Sequence, residues 1–287
     1  MAVTNFGGEE VVYGYDESKI IIVPVPYDAT STYIRGADRG PSAILEASPA
    51  LEFYDIETGT EVHRHGIHTL APLVTGDDPE EVTGEVYSTV SRLFRENRFP
   101  VVIGGNHTVS IGAFHAASEA FTNLAILQLD AHSDLRTSYE GSHLNHACAA
   151  ARAKEYAPLV QVGIRSMSAE ELPFADRKRI FFAHELYNDK TLYRKALDLL
   201  PGNVYITLDL DVFDPAVMPS TGTPEPGGPD YRELMFFLRE VFSHRNVVGF
   251  DVVELCPSEF NKAPDFMAAK VVYQMLSYRF CSQAVST

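Results

Sequence analysis

An α/β fold around a mostly parallel sheet is the architecture this sequence predicts, on three observations. Continuous apolar runs recur along its 287 residues, as strands buried on both faces require. Amphipathic helical patterns fall between many of these runs. The least ordinary polar clusters all begin where an apolar run ends.

In chain order, the strand runs are 20–25, a weaker one at 67–70, then 100–103, 124–129, 159–164, 180–183, 204–208 and 247–253. That makes a sheet of about eight strands. Segment 79–97 carries Val82, Val86, Val90, Leu93 and Phe94 at helical spacing. Asp78 before Pro79 fits an N-cap followed by proline at the first helical position. Segments 229–242 and 265–280 are amphipathic helices as well. No internal repeat or low-complexity linker interrupts the pattern, so one domain spanning 1–287 is expected.

The net charge is −16, from 23 Lys and Arg against 39 Asp and Glu. Phosphate binding needs a basic face, so a nucleic-acid partner is not expected. An acidic surface concentrates cationic small molecules around it, although solubility alone is its plainer consequence. Cys148, Cys256 and Cys281 are odd in number, widely spaced and without a CxxC pair, which reads as a reduced intracellular protein. The first ten residues hold no basic, apolar signal, and no apolar run reaches membrane-spanning length. A cytoplasmic protein with no membrane partner is expected.

Four short segments carry the chemistry: Gly104-Gly105-Asn106-His107-Thr108, Asp130-Ala131-His132-Ser133-Asp134, Asp209-Leu210-Asp211 and Asp251-Val252-Val253-Glu254. Sites in open α/β sheets form at the carboxyl ends of strands, so segments far apart in sequence should converge in one crevice. In Asp130-Ala131-His132-Ser133-Asp134, residues two apart share a face, which lets all three ligand types point into one cavity. Asp209-Leu210-Asp211 repeats the arrangement, with Leu210 turned back to the core. Six side chains, His107, Asp130, His132, Asp134, Asp209 and Asp211, could hold two divalent cations. Two adjacent cations commonly serve to make hydroxide from water near neutral pH. Carboxylate and imidazole suit Mn(II), Fe(II), Ni(II), Co(II) or Zn(II), and four aspartates without cysteine favour the hard ion, Mn(II). Without cations the same cluster is a costly group of like charges. Each segment alone has a plainer explanation as a strand-end turn or helix cap, with Asn106 or Thr108 capping in the first. Their joint placement after strands favours a metal centre.

These segments, together with 207–215 and 221–228, resemble the ureohydrolases, the family of agmatinase, arginase, guanidinobutyrase and formiminoglutamase, over nearly the whole chain. Segment 31–44 is similar to the agmatinase branch. The resemblance implies a three-layer α/β/α sandwich with a central parallel sheet, assembled as a trimer or hexamer. It implies two Mn(II) ions, one on His107, Asp130, Asp134 and Asp209, the other on Asp130, His132, Asp209 and Asp211. Glu254 matches the guanidinium-binding carboxylate. His146 matches the proton-shuttle histidine, with His143 as its rival. A metal-bridging hydroxide would attack the guanidinium carbon, and Asp134 would pass a proton to the leaving amine. Three positions depart from the family: Asn106 stands where Asp is usual, Thr108 where Ser is common, and Ser220 where Gly is often found. Position 106 is not among the ligands, so metal binding is expected to survive; Asn106 does remove a charge near them, which bears on metal affinity or preference.

Loop 135–143 differs from the arginase loop and resembles that of the agmatinase branch. Glu140 is a candidate for meeting a cationic tail and equally for a solvated loop charge; Arg136 would instead suit a carboxylate tail. A small cationic guanidino substrate follows, with agmatine hydrolysed to putrescine and urea in polyamine synthesis. Guanidinobutyrate or another guanidino compound is the alternative. A one-metal deacetylase of related fold and a non-catalytic, degenerate member are readings from other classes. Six intact ligand positions stand against the former, and Asn106 is the one hint of the latter.

Overall fold

The computed structural model describes residues 4–73 and 76–281. Among them, eight strands form one sheet: β1 (Ile20–Val25), β2 (Ile67–Thr69), β3 (Phe99–Gly104), β4 (Leu124–Leu129), β5 (Leu159–Ile164), β6 (Ile180–Phe182), β7 (Asn203–Asp209) and β8 (Asn246–Val253). All neighbours pair in parallel, in the order β2-β1-β3-β8-β7-β4-β5-β6. Every apolar run read as a strand is one.

The helices are α1 (Gly40–Ala47), α2 (Pro79–Arg95), α3 (Ser110–Ala120), α4 (Ala149–Tyr156), α5 (Ala183–Asn188), α6 (Thr191–Asp198), α7 (Tyr231–His244) and α8 (Ala263–Cys281). The period of two along β1 sorts them into layers. Ile20 and Ile22 pack in one buried cluster with side chains of α1, α6, α7 and α8. Ile21, Val23 and Val25 pack in the other, with α2, α3 and α4. The result is the expected three-layer α/β/α sandwich.

Helix ends follow local chemistry. Asp78 caps α2 by accepting from the Glu80 amide at 2.9 Å. Segment 229–242 begins its helix only at Tyr231, because Asp230 caps there by accepting from the Glu233 amide at 2.9 Å. None of the described helices is long and apolar enough to cross a membrane.

The strand order decides where chemistry can happen. β3, β8, β7 and β4 are four consecutive central strands, and each is followed by one of the four polar segments. Leu129 stands opposite Leu208, and Asp209 opposite Val253, so β4, β7 and β8 finish level with one another. The chain skips from β3 across two strand positions to β4 and fills the gap later with β7 and then β8. Such a switch leaves a crevice at the carboxyl ends.

Candidate metal centre

The segments at Asp130 and Asp209 are tight turns leaving a strand, and these two carboxylates divide their oxygens between closing the turn and facing the crevice. Asp130 Oδ1 accepts from the His132 amide at 2.6 Å, and Asp209 Oδ1 accepts from the Asp211 amide at 2.8 Å. The cap explanation holds for both residues, and it leaves their second oxygens free to act as ligands. The oxygens left over converge on His107, whose imidazole is 1% exposed. Its Nδ1 lies 3.2 Å from Asp130 Oδ2, 3.2 Å from Asp134 Oδ2 and 3.4 Å from Asp209 Oδ2. Yet this nitrogen makes no hydrogen bond. A buried imidazole nitrogen ringed by three carboxylate oxygens, none placed for a well-directed hydrogen bond, has the geometry of a cation ligand.

A second imidazole completes the cluster. His132 Nδ1 lies 2.8 Å from Asp211 Oδ2 and 3.8 Å from Asp130 Oδ1. Two groups of donor atoms result, each within 4.8 Å internally: His107, Asp130 and Asp134, and Asp130, His132 and Asp211. Asp130 belongs to both. The donor set thus fits two neighbouring divalent cations of the oxygen- and nitrogen-loving kind.

The electrostatics show what the cluster costs without them. Burial, then Asp211 and Asp134, push the Asp130 carboxyl up to about 7. Burial, with Asp211 and Asp130 beside it, holds Asp209 well above the usual carboxylate range. Burial works against charge on His132, but Asp211 and Asp130 outweigh it and hold the imidazole at about 11. Asp211, although buried, is drawn down to about 2 by that same histidine. Protons here do the neutralising that divalent cations do in a loaded site.

Glu254 follows β8 with φ +67, and Asp134 has φ +50, a conformation that favours glycine and is held only where its surroundings impose it. Glu254 Oε1 accepts from the His107 amide at 2.7 Å, and the Glu254 amide donates to Gly105 O at 2.8 Å. Gly105 has no alternative there: a Cβ would sit 1.9 Å from Tyr27 O. Burial raises the Glu254 carboxyl to about 8.

A cavity of about 310 Å³ opens over the cluster, lined by His132, Asp134, His146, Thr32, Arg136 and Tyr139, among others. His146 Nε2 is 3.5 Å from Thr32 Oγ1, and burial pulls its pKa below the ordinary value. His143 is exposed and lies outside this lining. Glu140 is exposed too and does not line the cavity. Arg136 does, with its guanidinium 4.8 Å from the centre of the Tyr139 ring and 3.7 Å from the exposed carboxylate of Glu170.

Asn106 works on a loop. Its Nδ2 donates to Thr30 Oγ1 at 2.8 Å and to Ser31 Oγ at 3.1 Å, and its Oδ1 accepts from the Thr108 amide at 3.2 Å. It caps the turn that carries His107 and tethers the 30–31 segment over the site. Nothing in the structure explains Ser220.

Four supporting residues escaped the sequence reading. Gln128 donates to Asp130 Oδ2 at 2.7 Å. Glu171 accepts from Ser133 Oγ at 2.6 Å and from the Leu135 amide at 2.8 Å, clamping both sides of Asp134. The Ser168-to-Glu171 capping box was the available signal for it. Arg165 donates to the carbonyls of Gly163, Asp211, Val212, Phe213 and Glu225, tying the turn of Asp211 to the loop at Glu225. Thr207 Oγ1 lies 2.9 Å from His107 Nε2.

The arginase family model matches residues 18–277. An N(1)-aminopropylagmatine ureohydrolase of Synechocystis is 36% identical over 288 residues, covering 96% of this chain and 93% of that protein. Its counterpart in Thermus thermophilus is 38% identical over 270 residues, covering 92% of each. The crystal structure of the agmatine ureohydrolase of Thermoplasma volcanium superposes with a TM-score of 0.88 at 29% identity, covering 99% of this chain and 98% of that one.

Proposed function

The chain belongs to the arginase family, hydrolases of guanidino and amidino compounds, and we propose that it cleaves an alkylguanidine with a cationic tail into urea and an amine. The observation that carries this reading is the unpartnered Nδ1 of His107 among the oxygens of Asp130, Asp134 and Asp209. In this reading His107, Asp130, Asp134 and Asp209 hold one divalent cation, and Asp130, His132, Asp209 and Asp211 hold the other. Four carboxylates and two imidazoles suit Mn(II). Bound there, such a pair supplies Lewis acidity and makes water acidic enough to act as a nucleophile near neutral pH.

The chain's own residues do the rest. Glu254 faces the guanidinium; its Oε1 is anchored by the His107 amide, and a forked, charge-assisted contact fixes the orientation of the planar group. Asp134 holds the proton destined for the leaving amine nitrogen. His146, on the cavity wall, carries protons between site and solvent. His143, outside that wall, is not assigned the role.

Agmatine is the substrate this reading takes first, giving putrescine and urea. A second reading has a specific observation behind it: the Synechocystis and Thermus relatives are named for N(1)-aminopropylagmatine. Urea release by the Mn(II)-loaded protein, measured across both compounds, guanidinobutyrate and arginine, tests the proposal. Turnover of either cationic compound supports it, and their ratio of kcat/KM assigns the tail. Preference for guanidinobutyrate would move the assignment to an acidic tail at Arg136. Two tightly bound cations with no urea from any compound would sink the catalytic reading. A single cation per chain would sink the two-cation one. Sedimentation of the loaded protein tests the trimer or hexamer.

A further inference from the structure

Asp251 belongs to one of the four polar segments but takes no part in the reading above. It sits inside β8, fully buried and directly opposite Thr207 of β7. Thr207 Oγ1 lies 2.5 Å from Asp251 Oδ1 and 2.9 Å from His107 Nε2. A hydroxyl has a single proton to donate. The short contact to a carboxylate, which can only accept when ionised, takes that proton toward Asp251. Thr207 Oγ1 can then only accept from His107, so the proton of a neutral imidazole must sit on Nε2. That leaves the Nδ1 lone pair facing the oxygens of Asp130, Asp134 and Asp209.

The alternative is a real competitor. Three carboxylate oxygens within 3.4 Å of Nδ1 draw a proton onto that nitrogen. A Thr207 hydroxyl free to turn would donate to Nε2 and stabilise that Nδ1–H form, which cannot ligate. Ser110 Oγ, at 3.5 Å from Thr207 Oγ1, is too distant to hold the hydroxyl in Asp251's place.

We propose that Asp251 is a positioning residue: by holding the Thr207 hydroxyl it fixes which ring nitrogen of His107 faces the carboxylates, and so sets how tightly that side of the centre binds its cation. This rests on the two-cation reading of the centre. Behind His132 stands only the exposed Glu225 carboxylate, 3.9 Å from Nε2 and with no hydroxyl between them, so the effect should fall on one cation of the two.

The test counts Mn(II) bound per chain and its two dissociation constants, by the spectroscopic signal of free Mn(II), for the parent, Asp251→Asn, Thr207→Val and Thr207→Ser. Asp251→Asn is nearly isosteric and adds a donor that can reverse the relay. Thr207→Val removes the relay, and Thr207→Ser keeps it. The expectation is that Asp251→Asn and Thr207→Val each weaken one site by about 10- to 100-fold. Thr207→Ser should stay within about threefold of the parent, and Asp251→Asn should add little in the Thr207→Val background. Rescue by serine is the result a merely structural role would not give, provided serine and valine variants melt alike when stripped of cations. Parent-like constants for both Asp251→Asn and Thr207→Val overturn the relay while leaving the centre intact. Loss in Thr207→Val with parent-like binding in Asp251→Asn removes Asp251 from it. Should Asp251→Asn fail to fold, equal binding by the valine and serine variants overturns the proposal. A parent that binds no divalent cation removes the centre and the relay together.

Discussion

His107 and His132 each bring one imidazole nitrogen toward the same carboxylate, Asp130, but from different surroundings. His107 is 1% exposed, has carboxylate oxygens of three aspartates around Nδ1, and is backed at Nε2 by Thr207. His132 is 24% exposed, lines the cavity, and has one close carboxylate, Asp211 at 2.8 Å, with Glu225 at 3.9 Å on its other nitrogen. Burial and second-sphere hydrogen bonds orient a ligand, whereas exposure admits water and small molecules. His107 thus stands on a side of the cluster suited to retention, and His132 on a side suited to access. The sharpest ways to break that contrast begin with the residue the two sides share.

Asp130→Ala removes a donor common to both groups. At least one of two bound cations should be lost by elemental analysis, and urea release should fall by about a thousandfold or more. Two cations retained at full stoichiometry would refute the shared role. Glu254→Gln is the control on the substrate side, because its carboxylate meets the His107 amide and belongs to neither donor group. Both cations should stay, while kcat/KM falls by about a hundredfold or more with the loss of the charged fork. Full activity would remove Glu254 from guanidinium recognition. On the access side, His146→Ala should lower kcat by roughly tenfold to a hundredfold and recover part of it in imidazole buffer, without change in cation content. An unchanged pH–rate profile would make His146 an ordinary wall residue. Dialysis against a chelator sharpens the comparison itself: one cation should leave at about a tenfold lower chelator concentration, and His132→Asn should widen the gap. Simultaneous release would show that the two sides act as one.

Which parts of this were legible in the sequence follows from what is local. Residues two apart at a strand end share a face, so Asp130, His132 and Asp134 announced themselves, as did Asp209 and Asp211. The sandwich was legible because every run buried on both faces is continuous. Strand order was not, because nothing near β7 or β8 says that they insert between β3 and β4. Thr207 opens one of the segments that carry the resemblance, but its contact with His107 was not legible, because a lone hydroxyl in an apolar run carries no pattern. Arg165 was hidden because its work is done on backbone carbonyls, which every sequence has. Asn106 stood out as a missing charge, but its three hydrogen bonds tether a loop, which only coordinates reveal. His143, three residues away, stood as a rival to His146; of the two, His146 lines the cavity and His143 does not.

The smallest effect, a few degrees in melting temperature, probes the cost of the shared cluster. In the cation-free protein Asp130 is raised from 3.8 to about 7 and Glu254 from 4.5 to about 8, chiefly by burial. A carboxyl whose pKa is raised on folding binds its proton more tightly in the native state. Its favourable contribution is complete below the unfolded value and is lost as the pH rises through the folded one. His132, raised to about 11, works in the same direction above its ordinary value of 6.5, and Asp211, lowered to about 2, is already fully ionised across this range. The chelated protein should therefore lose stability as the pH climbs from about 4 to about 8. Divalent cations replace the protons, so the stabilisation that Mn(II) confers should grow over the same window. The difference in melting temperature between loaded and chelated protein isolates the effect from titrations elsewhere on an acidic surface. A difference that stayed flat from pH 5 to 8 would mean that the buried carboxylates are not what the cations neutralise.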